Sequence, residues 1–218
     1  YSKDAETWTE DLRSLTATTV AESCTIKVRA SNPNYQNTAE GEASLTITKR
    51  PVTFTGKSET HEYTGSTITI STVEVTATAE GVGLVEGHTH NVTFSASGIE
   101  ADTYTGTITA KEAVVIKSGE TVVTENYDIT VVNGTLTITQ NSKALVITSS
   151  SKSWTYDGET HQDEVYTVTY DGIAVTADST GKVFTLPTND TVTITATASG
   201  VKNVSDTAEN NNTFTYVF

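Results

Sequence analysis

Apolar and polar residues alternate one for one along most of this chain. In TIKVRAS, 25–31, Ile26 and Val28 fall on one side and Thr25, Lys27 and Arg29 on the other. The segments SLTIT (44–48), TLTIT (135–139) and TVTITATA (191–198) keep the same period. Successive strand side chains point to opposite faces, so such runs predict strands with one buried and one wet face. Turn-forming pairs punctuate them: Thr64-Gly65, Asn133-Gly134, Asp157-Gly158 and Asp171-Gly172. No stretch of a dozen residues holds a helical apolar period; the best candidate for a helical turn is WTEDLRSL, 8–15. The pattern predicts an all-β chain of small β domains in tandem. Two architectures satisfy it, an Ig-like sandwich and a β-grasp-like roll, and domains in series predict an elongated rod.

The strands repeat. PVTFTGKSETHEYTG, from Pro51, aligns without a gap on ALVITSSSKSWTYDG, from Ala144, at an offset of 93 that places Tyr63 on Tyr156 and Gly65 on Gly158. LTIT at 45–48 returns at 136–139, an offset of 91. ASNPNYQNTAE, 30–40, returns as ASGVKNVSDTAE, 198–209. These matches divide the chain into the back half of a β repeat at 1–48, a complete repeat at 49–140 and a second, diverged repeat at 141–218. The shared phrase is then the connection before the closing strand, with SLTIT and TFTYV as the closing strands. Half a β domain leaves an open core face and an unpaired edge. The expectation is a compact N-terminal module packed end-on in a monomer, with a strand-exchanged dimer as the alternative.

Composition narrows the function. Thr is about one residue in five, which suits pleated, half-solvated strands. The net charge of -14 argues against nucleic acid and against anionic membrane surfaces. No apolar run is long enough to span a bilayer, so no membrane insertion is expected. Cys24 is the only cysteine, which excludes an internal disulfide and a Cys-based zinc site. The chain has no Met at all and no signal peptide at its start, and reads as a fragment of a longer or processed protein.

The middle unit carries a resemblance. PVTFTGKSETHEYTGSTITI, GLVEGHTHNVTFSASG, YTGTIT and VVTENYDITVVNGTLTIT together resemble the MBG-type repeat, with its Tyr-Gly-x turn, found in tandem in surface proteins of Gram-positive gut bacteria. WTYDGETH in the last unit looks like a diverged relative. The sequence departs from the usual pattern at IEADTY, 99–104, where such repeats carry Asp-Val-Gly before the Tyr. The resemblance implies a secreted, cell-wall-linked, multidomain protein with no catalytic residues to carry over.

Candidate chemistry is sparse. His88 and His90 share a strand face and could seed a metal site with Glu86, but zinc wants three or four ligands. Asp157, Glu159, Asp163 and Glu164 form an acidic stretch that could attract calcium, against a solvated hairpin end as the simpler reading. No nucleophile elbow or aromatic-lined carboxylate pair is recognisable, so the chain is not read as an enzyme, and no cofactor or metal is assigned. Lys27, Lys49 and Lys57 are the candidate donors for an internal Lys–Asn amide cross-link, which is not expected to form. Trp154 and Tyr156, two apart, would share one strand face, in a core or as an exposed aromatic platform.

The reading is an adhesin segment on the bacterial surface that presents binding surfaces to a host protein or glycoprotein, an immunoglobulin or a mucin among them. A stalk that only spaces other domains is the alternative. The candidate contact residues are Ile99, Glu100, Asp102 and Tyr104 in the divergent loop, with Tyr63, Trp154 and Tyr156 near the Gly turns.

Overall fold

The structure, a computed structural model, describes the whole chain, Tyr1–Phe218. It is all-β: strands joined by loops and single 3₁₀ turns, with no α-helix. No helix is long and apolar enough to cross a membrane. The N-terminal stretch contributes β1 (Cys24–Ala30) and β2 (Ala39–Leu45). The middle stretch contributes β3 (Arg50–Gly56), β4 (Glu59–Glu62), β5 (Ile68–Ile70), β6 (Val73–Val75), β7 (His88–His90), β8 (Phe94–Gly98), β9 (Thr103–Thr105), β10 (Thr107–Ile108), β11 (Ile116–Ser118), β12 (Thr121–Val122), β13 (Tyr127–Val132) and β14 (Thr135–Thr139). The last stretch contributes β15 (Leu145–Ser149), β16 (Tyr166–Tyr170), β17 (Ile173–Val175), β18 (Val183–Thr185), β19 (Thr191–Ala196) and β20 (Phe214–Val217).

The chain divides into two compact units. One comprises Tyr1–Ser58, Ile70–Ala96 and Thr105–Thr135; the other comprises Glu59–Thr69, Ser97–Tyr104 and Leu136–Phe218. The core of the first unit is built from Val52, Phe54, Val92, Val114, Ile116, Tyr127 and Ile129. Phe54 and Ile116 are fully buried, as alternation along their strands demands. Phe94 packs into a bed of glycines, where a Cβ on Gly56 or Gly106 would fall 2.4 or 2.1 Å from its ring. The core of the second unit is built from Tyr166, Val168, Phe184, Leu186, Val192 and Ile194.

Two strands at the start of the middle repeat pair in parallel with two at its end. β3 runs beside β13 from Arg50↔Tyr127 to Thr55↔Val132, and β4 beside β14 from Glu59↔Leu136 to Glu62↔Thr139. Parallel neighbours need a long crossover, which the rest of the repeat supplies. The internal repeat shows in the ladders themselves. Phe54 faces Val75 between β3 and β6, and Ile147 faces Val168 between β15 and β16, both partners displaced by the same 93 residues.

The N-terminal stretch has little core of its own. β1 and β2 pair as an antiparallel two-stranded sheet, from Cys24↔Leu45 to Ala30↔Ala39. Ile26 is the only buried apolar side chain before β3. Ser2 bridges Lys27 on the far edge of β1, donating to its carbonyl at 2.9 Å and accepting from its amide at 2.8 Å. The Val20 amide donates to the Asn126 Oδ1 at 2.7 Å and ties this stretch to the rest of its unit.

Three local expectations are corrected. The predicted helical turn at 8–15 reduces to one 3₁₀ turn, Leu12–Ser14, capped by Asp11, because no apolar face repays a longer helix. The closing strand expected at 44–48 ends at Leu45, with Ile47 held instead by the Ser23 hydroxyl at 2.9 Å. The segment 151–160, aligned on β4, forms no strand.

Candidate functional site

The predicted contact residues separate into three environments. Tyr63 sits at a joint. Its hydroxyl donates to Asp190 Oδ1 at 3.0 Å, and Thr188 donates to Asp190 Oδ2 at 2.7 Å. The bond to the Asp190 carboxylate, aided by desolvation, raises the Tyr63 pKa above its ordinary value. Gly65 has φ +74°, and a Cβ there would fall 1.6 Å from the Thr188 carbonyl oxygen. The connection that follows β14 is pinned beside it. Asn141 Nδ2 donates to the Tyr63 carbonyl at 2.9 Å, the Ser142 amide bonds the Glu62 carboxylate, and Lys143 pairs with Asp171 at 2.8 Å. Tyr63 therefore holds this turn to the last repeat and does not stand free.

The loop Ile99–Tyr104 is also anchored. The Tyr104 hydroxyl donates to the Glu100 carbonyl at 3.0 Å, and its ring covers Gly98, where a Cβ would lie 2.2 Å away. The Asp102 carbonyl accepts from the Ile138 amide at 2.8 Å, and its carboxylate accepts from the Thr103 amide at 2.7 Å. Ile99 is the exposed apolar residue of this loop, at 43%.

Trp154 lies in a different place. It forms part of a groove of about 620 Å³ whose walls come from 148–163 and 198–212. Its indole stacks on the His161 imidazole at 5.2 Å and 12°, and the Lys152 ammonium lies 5.7 Å from its centroid. His161 is in turn held by Asp157 at 3.0 Å, and it bridges Val201 through both backbone groups at 2.9 Å. The expectation of a shared strand face for Trp154 and Tyr156 fails, because neither lies on a strand. Tyr156 is 65% exposed and does not line the groove.

The groove is tied across its base. Asn212 Nδ2 donates to the Ser150 carbonyl and Ser149 Oγ to the Asn212 carbonyl, both at 3.0 Å; Gln162 Nε2 donates to the Ala198 carbonyl at 2.7 Å. Asp206 caps the turn Val204–Asp206 by accepting from the amides of Asn203 at 2.7 Å and Lys202 at 3.0 Å. Those bonds hold its pKa below the ordinary carboxylate value. Lys152, Glu209 and Asn210 line the groove; the Lys152 ammonium lies over the Trp154 ring, and Glu209 and Asn210 make no hydrogen bond within the chain. Asn210 is in the left-handed region, φ 59°, which an Asn tolerates better than most residues.

The second wall is the recurring phrase enlarged. In its first copy the phrase connects β1 to β2 over 31–38; in its second it connects β19 to β20 over 197–213. The sequence TAE enters β2 in the first copy, whereas TAENNN stays outside the ladder in the second. Lys152, Gln162, Glu209, Asn210 and Asn212 were not singled out by sequence. The run Glu209-Asn-Asn-Asn, where the sibling phrase continues as a strand, was the signal available.

The other candidates have local partners. His88 Nδ1 lies 2.6 Å from the Tyr127 hydroxyl, and the His90 ring packs on Phe54 at 4.8 Å. Burial lowers the His90 pKa. Asp157 accepts from the Glu159 amide at 2.9 Å, which with His161 lowers its pKa; Asp163 accepts from Ser150, and Glu164 pairs with Lys182 at 2.7 Å. No three His, Cys, Asp or Glu side chains converge as an ion would require. Lys27, Lys49 and Lys57 are exposed, so none is placed across a core from an Asn. Cys24 is half-buried.

Fold and site define an all-β chain of repeated small sheets with one polar groove bearing an aromatic wall. Comparison with protein-family models, with curated proteins and with solved structures returns no match.

Proposed function

We propose that this chain is a repeat segment of an extracellular adhesin of a Gram-positive bacterial surface, and that it presents a recognition surface to host glycoproteins. The carrying observation is the Trp154 groove. It stands where the last repeat departs from its sibling phrase, and it brings an indole, the Lys152 ammonium over its ring, and the unpaired side chains of Glu209 and Asn210 to one volume. The resemblance of 51–139 to MBG-type surface repeats supports the setting, and the acidic, Met-free composition suits an exposed, non-sticky module. The test is capture from human mucus and serum on the immobilised full chain, with mass spectrometry of what is retained. Glycoproteins held by the native chain and lost with Trp154→Ala support the reading. Equal retention by both proteins, or none by either, overturns it.

A stalk function is favoured by a separate observation, the joint at Tyr63 and Gly65. Hydrogen bonds from Tyr63 and Asn141 and the close approach of Gly65 to Thr188 remove play between the middle repeat's first turn and the last repeat. Tyr63, Gly65, Asn141, Thr188 and Asp190 all lie in the second compact unit, and a unit braced in this way would serve a rod that carries other domains.

A further inference from the structure

We infer that the Trp154 groove is a carbohydrate site that takes a short, neutral oligosaccharide; the inference rests on the recognition reading above and specifies its ligand. Four features of the groove select this chemistry. Its volume, about 620 Å³, falls in the range of small-molecule sites. Its walls are mostly hydroxyl, amide and backbone groups, with Trp154, Ala198, Val201 and Ala208 as the apolar side chains, so a lipid or a wholly apolar ligand gains little there. A pyranose offers the opposite combination, an apolar C–H face for an indole and hydroxyls that both donate and accept.

The polar groups suit hydroxyls. Asn210 presents an amide that can donate and accept at once, Glu209 a carboxylate that can accept from two neighbouring hydroxyls, and Lys152 a donor over the indole ring, which a stacked sugar must displace or bond. Asn210 and Glu209 make no hydrogen bond within the chain, and the contact of Lys152 is with the indole ring itself. The indole is held for the purpose. His161 stacks on it, Asp157 fixes the imidazole, and the backbone bridge to Val201 fixes the main chain of His161. A preorganised platform loses little side-chain freedom when a sugar stacks on it.

Charge selects neutral over anionic sugars. Asp163 and Glu209 line the groove against the single ammonium of Lys152, within a chain of net charge -14. A sialylated or sulfated glycan would bring a like charge against these carboxylates.

The test uses the full chain on an array of immobilised neutral and sialylated oligosaccharides. Positive neutral probes are then titrated in solution and followed by Trp154 fluorescence in a Trp8→Phe background. The expected result is saturable binding of neutral probes, weakened about tenfold by Trp154→Ala. Asn210→Gly, which keeps the left-handed backbone, weakens it several-fold while thermal unfolding stays unchanged. Binding of sialylated probes in preference to neutral ones overturns the inference. So does Trp154-dependent capture of host glycoproteins that survives enzymatic deglycosylation, and that result would leave the recognition reading standing. Absence of both glycan and glycoprotein binding overturns the two together.

Discussion

Gly65 and Gly158 occupy equivalent positions in two repeats, and the structure predicts that the same substitution has unequal effects at them. Both have positive φ, +74° and +84°. An alanine at either must enter the left-handed region, at about 1–2 kcal/mol. Gly158 has nothing within 4 Å of the Cβ position, so Gly158→Ala should cost no more than that backbone term. At Gly65 the new carbon would fall 1.6 Å from the Thr188 carbonyl oxygen, with Thr188 Cα also within 2.9 Å. These are backbone atoms and cannot rotate away, so the turn must lift off 188–190. Lifting breaks at least one hydrogen bond at the joint, for about 0.5–1.5 kcal/mol, and loses the close packing beneath it. The expected loss for Gly65→Ala is therefore about 2–4 kcal/mol. Amide hydrogen exchange on the full chain reads this locally, because each 1.4 kcal/mol is a tenfold change in protection. The Tyr63 amide, bonded to the Thr139 carbonyl at 2.9 Å, and the Leu186 amide, bonded to the Asp190 carbonyl at 2.8 Å, are the reporters. Gly65→Ala should lower protection at both by more than tenfold, and Gly158→Ala at neither. Equal protection in the two variants would refute the joint.

Other outcomes follow from single sites. Tyr166 is buried, edge-on to Phe214 at 5.5 Å, and its hydroxyl is the one buried side-chain polar atom without a partner. Tyr166→Phe should therefore leave urea stability unchanged or raise it by about 1 kcal/mol; a loss of that size would show that the hydroxyl is bonded. Phe54→Ala removes a fully buried ring from the first core and should cost about 3–5 kcal/mol in a urea titration of the full chain, against less than about 0.5 kcal/mol for the exposed Val204→Ala. Asp4 accepts from the Thr7 and Glu6 amides and from Ser2, which lowers its pKa to about 2. A depressed carboxylate pKa stabilises above the ordinary value of 3.8, and that contribution is lost as the pH falls towards 2. NMR titration should show the Thr7 and Glu6 amide shifts moving with a midpoint near 2, and a midpoint near 3.8 would contradict the turn.

The candidate site was legible only in part. Trp154 was visible as one of two tryptophans, yet its period-2 spacing from Tyr156 suggested a strand that does not form. Spacing assigns faces but supplies no partner, and the stretch 151–160 joins no ladder. Tyr63 stands out in sequence for its turn, and only its hydrogen bond to Asp190 shows that it fastens that turn within the second unit. Tyr104 stands out in sequence because its loop departs from a resemblance, and its ring covers Gly98. Asn210 and Glu209 went unmarked because Asn and Glu in a loop look alike whether they face a groove or open solvent.

The sequence by itself determined the β character of the chain, since alternation admits few other structures, and it determined the repeat, whose offset reappears in the ladders as Phe54↔Val75 and Ile147↔Val168. It also determined the tight turn at Asp171-Gly172, both residues left-handed, between the paired Tyr170 and Ile173. Only the tertiary structure decided that β3 and β4 run parallel to β13 and β14, and that 148–163 and 198–212 meet around Trp154. Local pattern encodes which face of a segment is dry. Which segments share that dry space is a property of closure over the whole repeat, and there a few unpaired loop residues can become a site.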